Sequence, residues 1–376
     1  MASNVARPAR PWDLSEPEER DWFGVLGEGL AVVWPAQADR EWPRAGGAWL
    51  HIAPSGVVTA FTGKVDTGPG SQTAFRMLVA EELAVEPEAV RLVQGDTDLC
   101  PYDAGTSGRR PVPDSGEALR RAAAGARQIL IGMAAAKLDG QRAPLTAEKS
   151  AAVCGLTGRR LSYGTLVAGT RRAEVLGAGP PLNSPAEPIP SGLYPVTGSC
   201  CPVSGVRLPG MLYGTVLRRP APGAVLRAVD IGLAEVLPDV VVVRDGEFIG
   251  VAAADPVTAR RAAGAIKADW DEPAPGPGQP ATARFARVSP EARAAVAEWD
   301  DGRLTVWTST YVPFAVRARL SNTFRISEAA IRVIAHPVGG DTHGEHGPHG
   351  QRGQLGEEAV DAARLARATF RPVMAN

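Results

Sequence analysis

Residues 63–119 hold most of the side-chain and backbone features suited to binding an anionic group. They read GKVDTGPGSQTAFRMLVAEEL, continue through VQGDTDLCPYDAGTSGRR and end on PDSGEAL, so two glycine-rich loops flank an amphipathic helix. Because glycine has no Cβ, such loops let backbone N–H groups approach an anionic cofactor closely. The pattern predicts a cofactor-binding site. The alternative, which the pattern alone leaves open, is that the glycines only make turns.

Two carboxylates, Asp96 and Asp98, stand one residue apart in GDTD. Alternate positions at the end of a strand point to opposite faces, so paired acid–base chemistry is not expected and loop hydrogen bonding or capping is. The sequence contains neither the Gly-x-Ser-x-Gly motif nor the His-Glu metalloprotease motif. Hydrolase chemistry therefore has no candidate nucleophile.

Three histidines, His343, His346 and His349, recur every third residue in HPVGGDTHGEHGPHGQRGQLG. Neutral imidazoles bind zinc, nickel or copper, but a tract broken by glycine and proline orders ligands poorly, so no metal site is assigned. The four cysteines include no C-x-x-C pair. Any iron–sulfur cluster is expected on another chain.

The composition favours a multi-domain protein without nucleic-acid or membrane partners. A chain of 376 residues exceeds one average domain, and 42 Gly with 33 Pro indicate many turns. A net charge of -1 gives no footprint for nucleic acid or an anionic membrane. Neither a signal peptide nor a transmembrane run is recognised, so a cytoplasmic location is expected.

An internal repeat organises the chain when residues 55–93 are laid beside residues 301–334. Each segment has a turn, an alternating strand, a helix (near 72–84 and 313–324) and a second apolar strand. Both ends of the chain are therefore predicted to contain one strand–helix–strand unit. Because such a unit must bury its apolar face, residues 299–376 are expected to expose strand edges if no partner covers them.

Three further elements follow from local signals. An alanine-rich helix is predicted from Gly116 to about Leu138, with Asp114 or Ser115 as its N-cap. The run LPGMLYGTVLRRP indicates a turn and a strand, PDVVVVRDGEFIGVAAA indicates a hairpin turning at Asp245-Gly246, and a helix is predicted over 256–267.

These segments together resemble the molybdopterin-binding large subunits of the xanthine dehydrogenase and aldehyde oxidase family, in the branch related to isoquinoline 1-oxidoreductase. The resemblance implies an α+β, multi-domain fold in which an α/β hammerhead domain is flanked by partial molybdopterin-binding α+β domains. It assigns residues 1–190 to a first molybdopterin-binding-like domain, 191–272 to the hammerhead, 273–290 to a Pro/Gly-rich linker and 291–376 to an incomplete start of the next cofactor-binding domain.

The same resemblance implies cofactor contacts on the glycine loops, at Gly68, Gly70, Thr106, Ser107, Gly108, Gly339 and Gly340. The sharpest departure from the family pattern is at residues 336–356, where only Gly339 and Gly340 agree with the family's Gly-Gly-Phe-Gly-Gly-Lys loop. Two single residues of the other loops also depart from it. Pro69 replaces a glutamine and removes a donor, and Arg109 replaces a small serine, where it could pair with a phosphate or obstruct the pocket. No residue matches the family's catalytic glutamate, so no catalytic residue is assigned.

By resemblance the protein is an oxidoreductase, a molybdenum hydroxylase subunit that oxidises an aldehyde or N-heterocycle with oxygen from water. The resemblance implies that the cofactor is molybdopterin with molybdenum, in the cytosine dinucleotide form. It also implies a partner, a small 2Fe-2S subunit that takes the electrons. A second chain completing the C-terminal half is a further expected partner. The alternative is a truncated, non-catalytic remnant, or an assembly protein of the same family.

Overall fold

The computed structural model describes residues 10–11, 14, 19–34, 47–66, 71–106, 111–138, 144–177, 182, 203–221, 223–271, 294–337 and 356–375. By contacts the chain divides into two compact units. Unit 1 contains residues 1–200, 310–321 and 326–340, and unit 2 contains residues 201–309, 322–325 and 341–376. Mixed helices and strands in both units agree with the predicted α+β class. No helix in the described part of the chain is long and apolar enough to span a membrane.

The elements of unit 1 begin with helix α1 and strand β1 and alternate strands with helices thereafter. Their bounds are α1 Trp22–Leu26, β1 Gly29–Trp34, β2 Ala48–Ile52, β3 Val58–Thr62, α2 Ser71–Leu83, β4 Val90–Gln94, α3 Pro111–Ala135, β5 Leu145–Glu148, β6 Ala151–Cys154, β7 Arg160–Ser162, α4 Tyr163–Val167 and β8 Arg171–Val175.

The main sheet of unit 1 has the order β4-β3-β2-β1-β8. β3 and β4 are parallel, as are β1 and β8, whereas the pairs joining β1, β2 and β3 are antiparallel. Alternate side chains fill two cores: Leu30 and Leu50 pack with α2 and α3 on one face, and Val33 and Trp49 pack beside Trp22 of α1 on the other. Both faces of the central strands are buried, which explains their nearly continuous apolar sequence.

The elements from residue 212 to residue 375 belong to unit 2, except for one helix and one strand between residues 313 and 335, which lie mostly or wholly in unit 1. Their bounds are β9 Leu212–Val216, β10 Val225–Asp230, α5 Gly232–Glu235, β11 Val240–Asp245, β12 Phe248–Ala253, α6 Pro256–Ala265, β13 Lys267–Asp271, β14 Ala295–Asp300, β15 Arg303–Thr308, α7 Pro313–Phe324, β16 Ile331–Ala335, α8 Glu357–Thr369 and β17 Val373–Ala375.

Six strands of unit 2 follow one another in the order β11-β12-β9-β17-β14-β15. The three-residue strand β17 lies between β9, to which it is parallel, and β14, to which it is antiparallel. Helix α8 covers these strands and buries Leu365 completely. The expectation that residues 299–376 expose strand edges is therefore wrong for residues 356–375, because β17 is paired on both sides.

The predicted repeat is confirmed. Strand β3, helix α2 and strand β4 have the same order as β15, α7 and β16, and a one-turn 3-10 helix precedes the second strand in each. Each helix is followed by a non-glycine residue with positive φ, Ala84 at 51° and Arg325 at 55°. The agreement extends to local backbone geometry that the residue types do not reveal.

The other local predictions are confirmed, with one correction. β11 and β12 form the hairpin over Asp245-Gly246, α6 occupies the predicted place, and β9 follows its turn. Helix α3 begins at Pro111 and not at Gly116. Proline lacks only an N–H that the first helical position does not use, so Pro111 can start this helix, and Asp114 and Ser115 lie inside the helix and are not its N-cap as predicted.

The predicted domain boundaries differ from the division by contacts. Residues 310–321 and 326–340 belong to unit 1, although they fall inside the predicted domain 291–376. The predicted linkers around residues 190 and 280 lie outside the described residues. The assignment to four segments stays a prediction.

Candidate functional site

Two loops leave the same edge of the main sheet of unit 1. Because β3 and β4 are parallel neighbours, with Thr62 beside Gln94, the chain leaves both strands in the same direction. The first loop then leads into α2 and the second into α3. The described parts of these loops are residues 63–66 and 95–106. The predicted contacts Gly68, Gly70, Ser107, Gly108, Gly339 and Gly340 lie outside the described residues, as do His343, His346 and His349.

Lys64 joins the two loops inside the protein. Its Nζ donates to Oδ1 of Asp103 at 2.9 Å and to the carbonyl of Gly105 at 2.8 Å. The Asp103 carboxylate also accepts the Gly105 N–H at 2.8 Å. The Lys64 and Asp103 side chains are 7% and 1% exposed, so the ion pair is shielded from water. It fixes the second loop against the first.

Thr106 is the one predicted cofactor contact that the structure describes. Its Oγ1 accepts the Val65 N–H at 2.9 Å, and its own N–H donates to the carbonyl of Tyr311 at 2.8 Å. The backbone N–H is therefore engaged within unit 1, and the hydroxyl proton is the group that Thr106 retains for a ligand. A role for Thr106 in cofactor contact stays a prediction.

The backbones of the two loops approach too closely for larger residues. A Cβ at Gly63 would lie 2.4 Å from the carbonyl of Pro101, and one at Gly105 would lie 2.5 Å from Cγ1 of Val312. Gly105 also has φ +128°, which a side chain would make costly. Glycine at these two positions is required by contact and by backbone conformation.

Arg332 fastens the second loop to strand β16. Its Nε donates to Oδ1 of Asp96 at 3.0 Å and its Nη2 to Oδ2 at 2.5 Å, and Oδ2 of Asp98 lies 4.0 Å from Nε. Burial opposes the charge of Arg332, but the two carboxylates raise the pKa of the guanidinium. Asp96 also accepts the Asp98 N–H, so the predicted loop hydrogen bonding is confirmed. Burial, reinforced by Asp96, raises the pKa of the Cys100 thiol, which makes this buried cysteine inert.

Arg317, which is 1% exposed, reaches the same loop from α7. Its Nη1 donates to the carbonyl of Thr97 and its Nε to Glu328, each at 3.0 Å. The guanidinium carbon lies 5.2 Å from the ring centre of Phe314, which in turn contacts Tyr102 edge-on at 5.2 Å. Residues from the second half of the chain thus complete the support of a loop in the first half.

A third buried ion cluster joins the two helices that follow the loops. Glu82 of α2 accepts from Arg120 at Oε1 and from Arg127 at Oε2, each at 2.7 Å, and Arg127 also donates to the Glu82 carbonyl. Sequence reasoning missed Lys64, Asp103, Glu82 and their partners. The one available signal was a charged residue inside an otherwise apolar or glycine-rich segment, and it does not name the partner.

The donors that remain suit an anionic group with many oxygen atoms. Lys64, Arg317 and Arg332 are engaged by carboxylates. Binding would fall to hydroxyls and to the backbone N–H groups at the start of α2, because Pro111 and Pro113 at the start of α3 have no N–H. Helix α2 has no acidic residue in its first turn. Ser115, in the second turn of α3, is 2% exposed, and its Oγ has no hydrogen-bond partner among the described residues. Hydroxyl and N–H groups of this kind can hydrogen-bond the oxygen atoms of a molybdopterin. No group of three metal-ligating side chains occurs among the described residues.

Comparisons with known proteins agree with the resemblance. Residues 10–185 match a family described as a molybdopterin cofactor-binding domain, and residues 278–375 match a second family with that description. A nicotinate dehydrogenase subunit of Pseudomonas putida is 29% identical over 86% of this chain and 31% of its own length. A putative xanthine dehydrogenase molybdenum-binding subunit of Escherichia coli is 30% identical over 36% of this chain and 18% of its own length. A structure of quinoline 2-oxidoreductase from Pseudomonas putida has a TM-score of 0.36 and 21% identity, over 48% of this chain and 32% of that one.

Residues 10–185 and residues 278–375 are thus each similar to a molybdopterin cofactor-binding domain. The chain is also similar in sequence to a subunit of nicotinate dehydrogenase and to a molybdenum-binding subunit of xanthine dehydrogenase. It spans less than a third of the length of the nicotinate dehydrogenase subunit.

Proposed function

We propose that this chain is a molybdopterin-binding part of a molybdenum hydroxylase that oxidises an aldehyde or an N-heterocycle. Oxygen would come from water, and the electrons would pass to an iron–sulfur subunit. The observation that carries the proposal is the pair of matches to molybdopterin cofactor-binding domains in one chain. The names of the nicotinate and xanthine relatives support an N-heterocycle as the substrate class.

The proposed role of this chain's residues is to hold and orient the cofactor. When bound, molybdenum and its pterin supply the two-electron redox chemistry. The predicted contacts are Gly68, Gly70, Thr106, Ser107, Gly108, Gly339 and Gly340. Ser115 adds a hydroxyl at the start of α3, where its buried Oγ is available as a donor and an acceptor. No residue is assigned as the catalytic base.

The finer features of the proposal follow the family resemblance. The cofactor would be the cytosine dinucleotide form, and iron–sulfur clusters would sit on a small 2Fe-2S subunit. A further chain would complete the C-terminal half, and the complex would be cytoplasmic. Residues 191–272 would form the α/β hammerhead domain, which is consistent with the mixed strands and helices from β9 to β13.

The first experiment is to measure the molybdenum and pterin content of the purified full chain. The host must make the dinucleotide cofactor, and the small iron–sulfur subunit and the chain that completes the C-terminal half are co-expressed from the neighbouring genes that encode them. We expect close to one molybdenum per chain, followed by activity on aldehydes or N-heterocycles. Folded protein without molybdenum or pterin would refute the proposal and favour the non-catalytic binding or assembly protein.

Two substitutions test whether the departures from the family pattern weaken the site. Pro69→Gln restores the amide of the family pattern, and Arg109→Ser restores the small side chain. If Arg109 pairs with a phosphate, Arg109→Ser will lower the pterin content. If Arg109 obstructs the pocket, the same change will raise it.

A further inference from the structure

The two glycine loops are held together at their described ends by one buried ion pair. We propose that Lys64 and Asp103 are a positioning pair, which sets the distance between the entries of the two loops and thereby determines how tightly the cofactor is retained. The joint is the set of hydrogen bonds that links residues 64–65 to residues 103–106 within unit 1. Its effect on cofactor retention rests on the proposed function.

Three hydrogen bonds of the joint link the two loops, and a fourth lies within the second loop. Lys64 bonds to Asp103 and to the Gly105 carbonyl, Asp103 accepts the Gly105 N–H, and the Thr106 hydroxyl oxygen accepts the Val65 N–H. All four distances lie between 2.8 and 2.9 Å. Because an ammonium group has three donors, one lysine can bind a side chain and a backbone carbonyl of the opposite loop at once.

Both loops leave the joint from fixed points. The first continues from Asp66, whose carboxylate accepts the Ser71 hydroxyl at 2.6 Å, so the four residues between them start and end at bonded positions. The second continues from Thr106, whose N–H bonds to the Tyr311 carbonyl. Moving Lys64 relative to Asp103 would therefore move Asp66 and Thr106, the residues after which the two glycine tracts follow in the sequence, relative to each other.

The pair is not required by packing. Gly63 and Pro101 already bring the two backbones into contact, and the strands below are joined by the β3–β4 register. Removing only one charge would leave the other buried without its counter-ion and risk unfolding. Removing both charges is expected to leave a folded protein with a loose joint.

The test variant is Lys64→Met with Asp103→Asn, which removes both charges and keeps an oxygen to accept the Gly105 N–H. The matched control is Arg172→Met with Glu174→Gln, a pair on β8 that is 49% and 39% exposed. Two properties are measured on the full chain. Amide hydrogen exchange at Val65 and Thr106 reports the joint in protein without cofactor, and the rate of molybdenum and pterin release reports its consequence.

We expect exchange at both amides to be faster in the test variant than in the wild type and the control, while the melting temperature stays close to that of the control. Cofactor release should be about 10–100-fold faster, the usual effect of removing a group that orients a ligand shell. Unchanged exchange and unchanged release in a folded test variant would overturn the proposal.

Two further outcomes are distinguishable. If the wild-type chain carries no molybdenum, the proposed function fails, and hydrogen exchange still decides whether the pair holds the loops. If the test variant does not fold, Asp103→Glu keeps both charges and shifts the carboxylate by one methylene; it must show faster exchange at Val65 and Thr106, or the pair does not position the loops.

Discussion

Phe370 ends helix α8 in a conformation that favours glycine. Its φ is 54° and its ψ is 29°, and the side chain is 92% exposed. The left-handed conformation costs a residue with a Cβ about 1–2 kcal/mol, and an exposed ring gains little from packing. Phe370→Gly is therefore expected to raise the free energy of unfolding by about 1 kcal/mol in urea denaturation. Phe370→Ala keeps the Cβ and serves as the control; an equal gain there would assign the effect to the ring.

His51 makes stability depend on pH. It is 3% exposed on β2, and its Nε2 has no hydrogen-bond partner within the part of the chain that the structure describes. Burial lowers the pKa of the imidazole below 6.5, although backbone contacts with Glu28 and Gly27 act in the opposite direction. In the unfolded chain the imidazole keeps its ordinary pKa, so protons bind the unfolded state first as the pH falls.

Stability from His51 is therefore fully present above pH 6.5 and is lost as the pH falls below that value, by at most about 1.4 kcal/mol per pH unit. We expect His51→Gln to reduce the loss of unfolding free energy between pH 7 and pH 5, as measured by urea denaturation at each pH. Parallel curves for the variant and the wild type would mean that His51 does not carry this dependence.

At the scale of elements, α2 and α3 are joined by charge inside an apolar contact. Glu82 is fully buried between Arg120 and Arg127, and Phe75 and Leu119 lie in the same core. Glu82→Gln would leave two buried guanidinium groups without their carboxylate. Because breaking a buried pair from one side costs about 3–5 kcal/mol, we expect a loss of that size in urea denaturation.

The control is Glu117→Gln on the same helix as the arginines. Glu117 is paired with Arg121 four residues later at the surface, and exposed pairs of this kind contribute about 0.3–0.5 kcal/mol. Similar losses in the two variants would show that the Glu82 cluster does not join the helices.

Local elements were predictable because their signals are local. Alternation and turn residues were enough for the β11–β12 hairpin, and the repeated pattern was enough for α2 and α7. The start of α3 was placed too late because Asp114 and Ser115 are residue types that favour an N-cap, whereas the helix begins at Pro111. The ion pairs were not predictable. Asp96 and Arg332, for example, are 236 residues apart, and the sequence around either residue does not identify the other as its partner. For the candidate site, the sequence therefore indicated the loops and not the side chains that fix them.

At the scale of the whole molecule, chain order and spatial order differ. Arg317 and Arg332, from the second half of the chain, support a loop of unit 1, while β17 lies inside the sheet of unit 2. Strand β17 has only three residues, so no periodicity could identify it, and its place between β9 and β14 depends on pairings across the chain.

The position of β17 predicts how the protein behaves when the chain is cut before α8. Val373, Met374 and Ala375 are buried and pair with strands on both sides, and α8 buries Leu365 against the same sheet. A site for a specific protease, inserted after Gly347, should therefore be cleaved without loss of the C-terminal fragment. We expect the two pieces to elute together in size-exclusion chromatography and to separate only in denaturant.

The matched control carries the same insertion together with Leu365→Asp and Met374→Asp, which place charges in the interface that holds the fragment. After cleavage the control should lose the fragment, because an unpaired buried carboxylate opposes its binding. Release of the fragment from the unmodified interface under native conditions would contradict the central place of β17. Retention in both proteins would mean that pairing of the backbone, and not burial of α8 and β17, holds the end of the chain in the sheet.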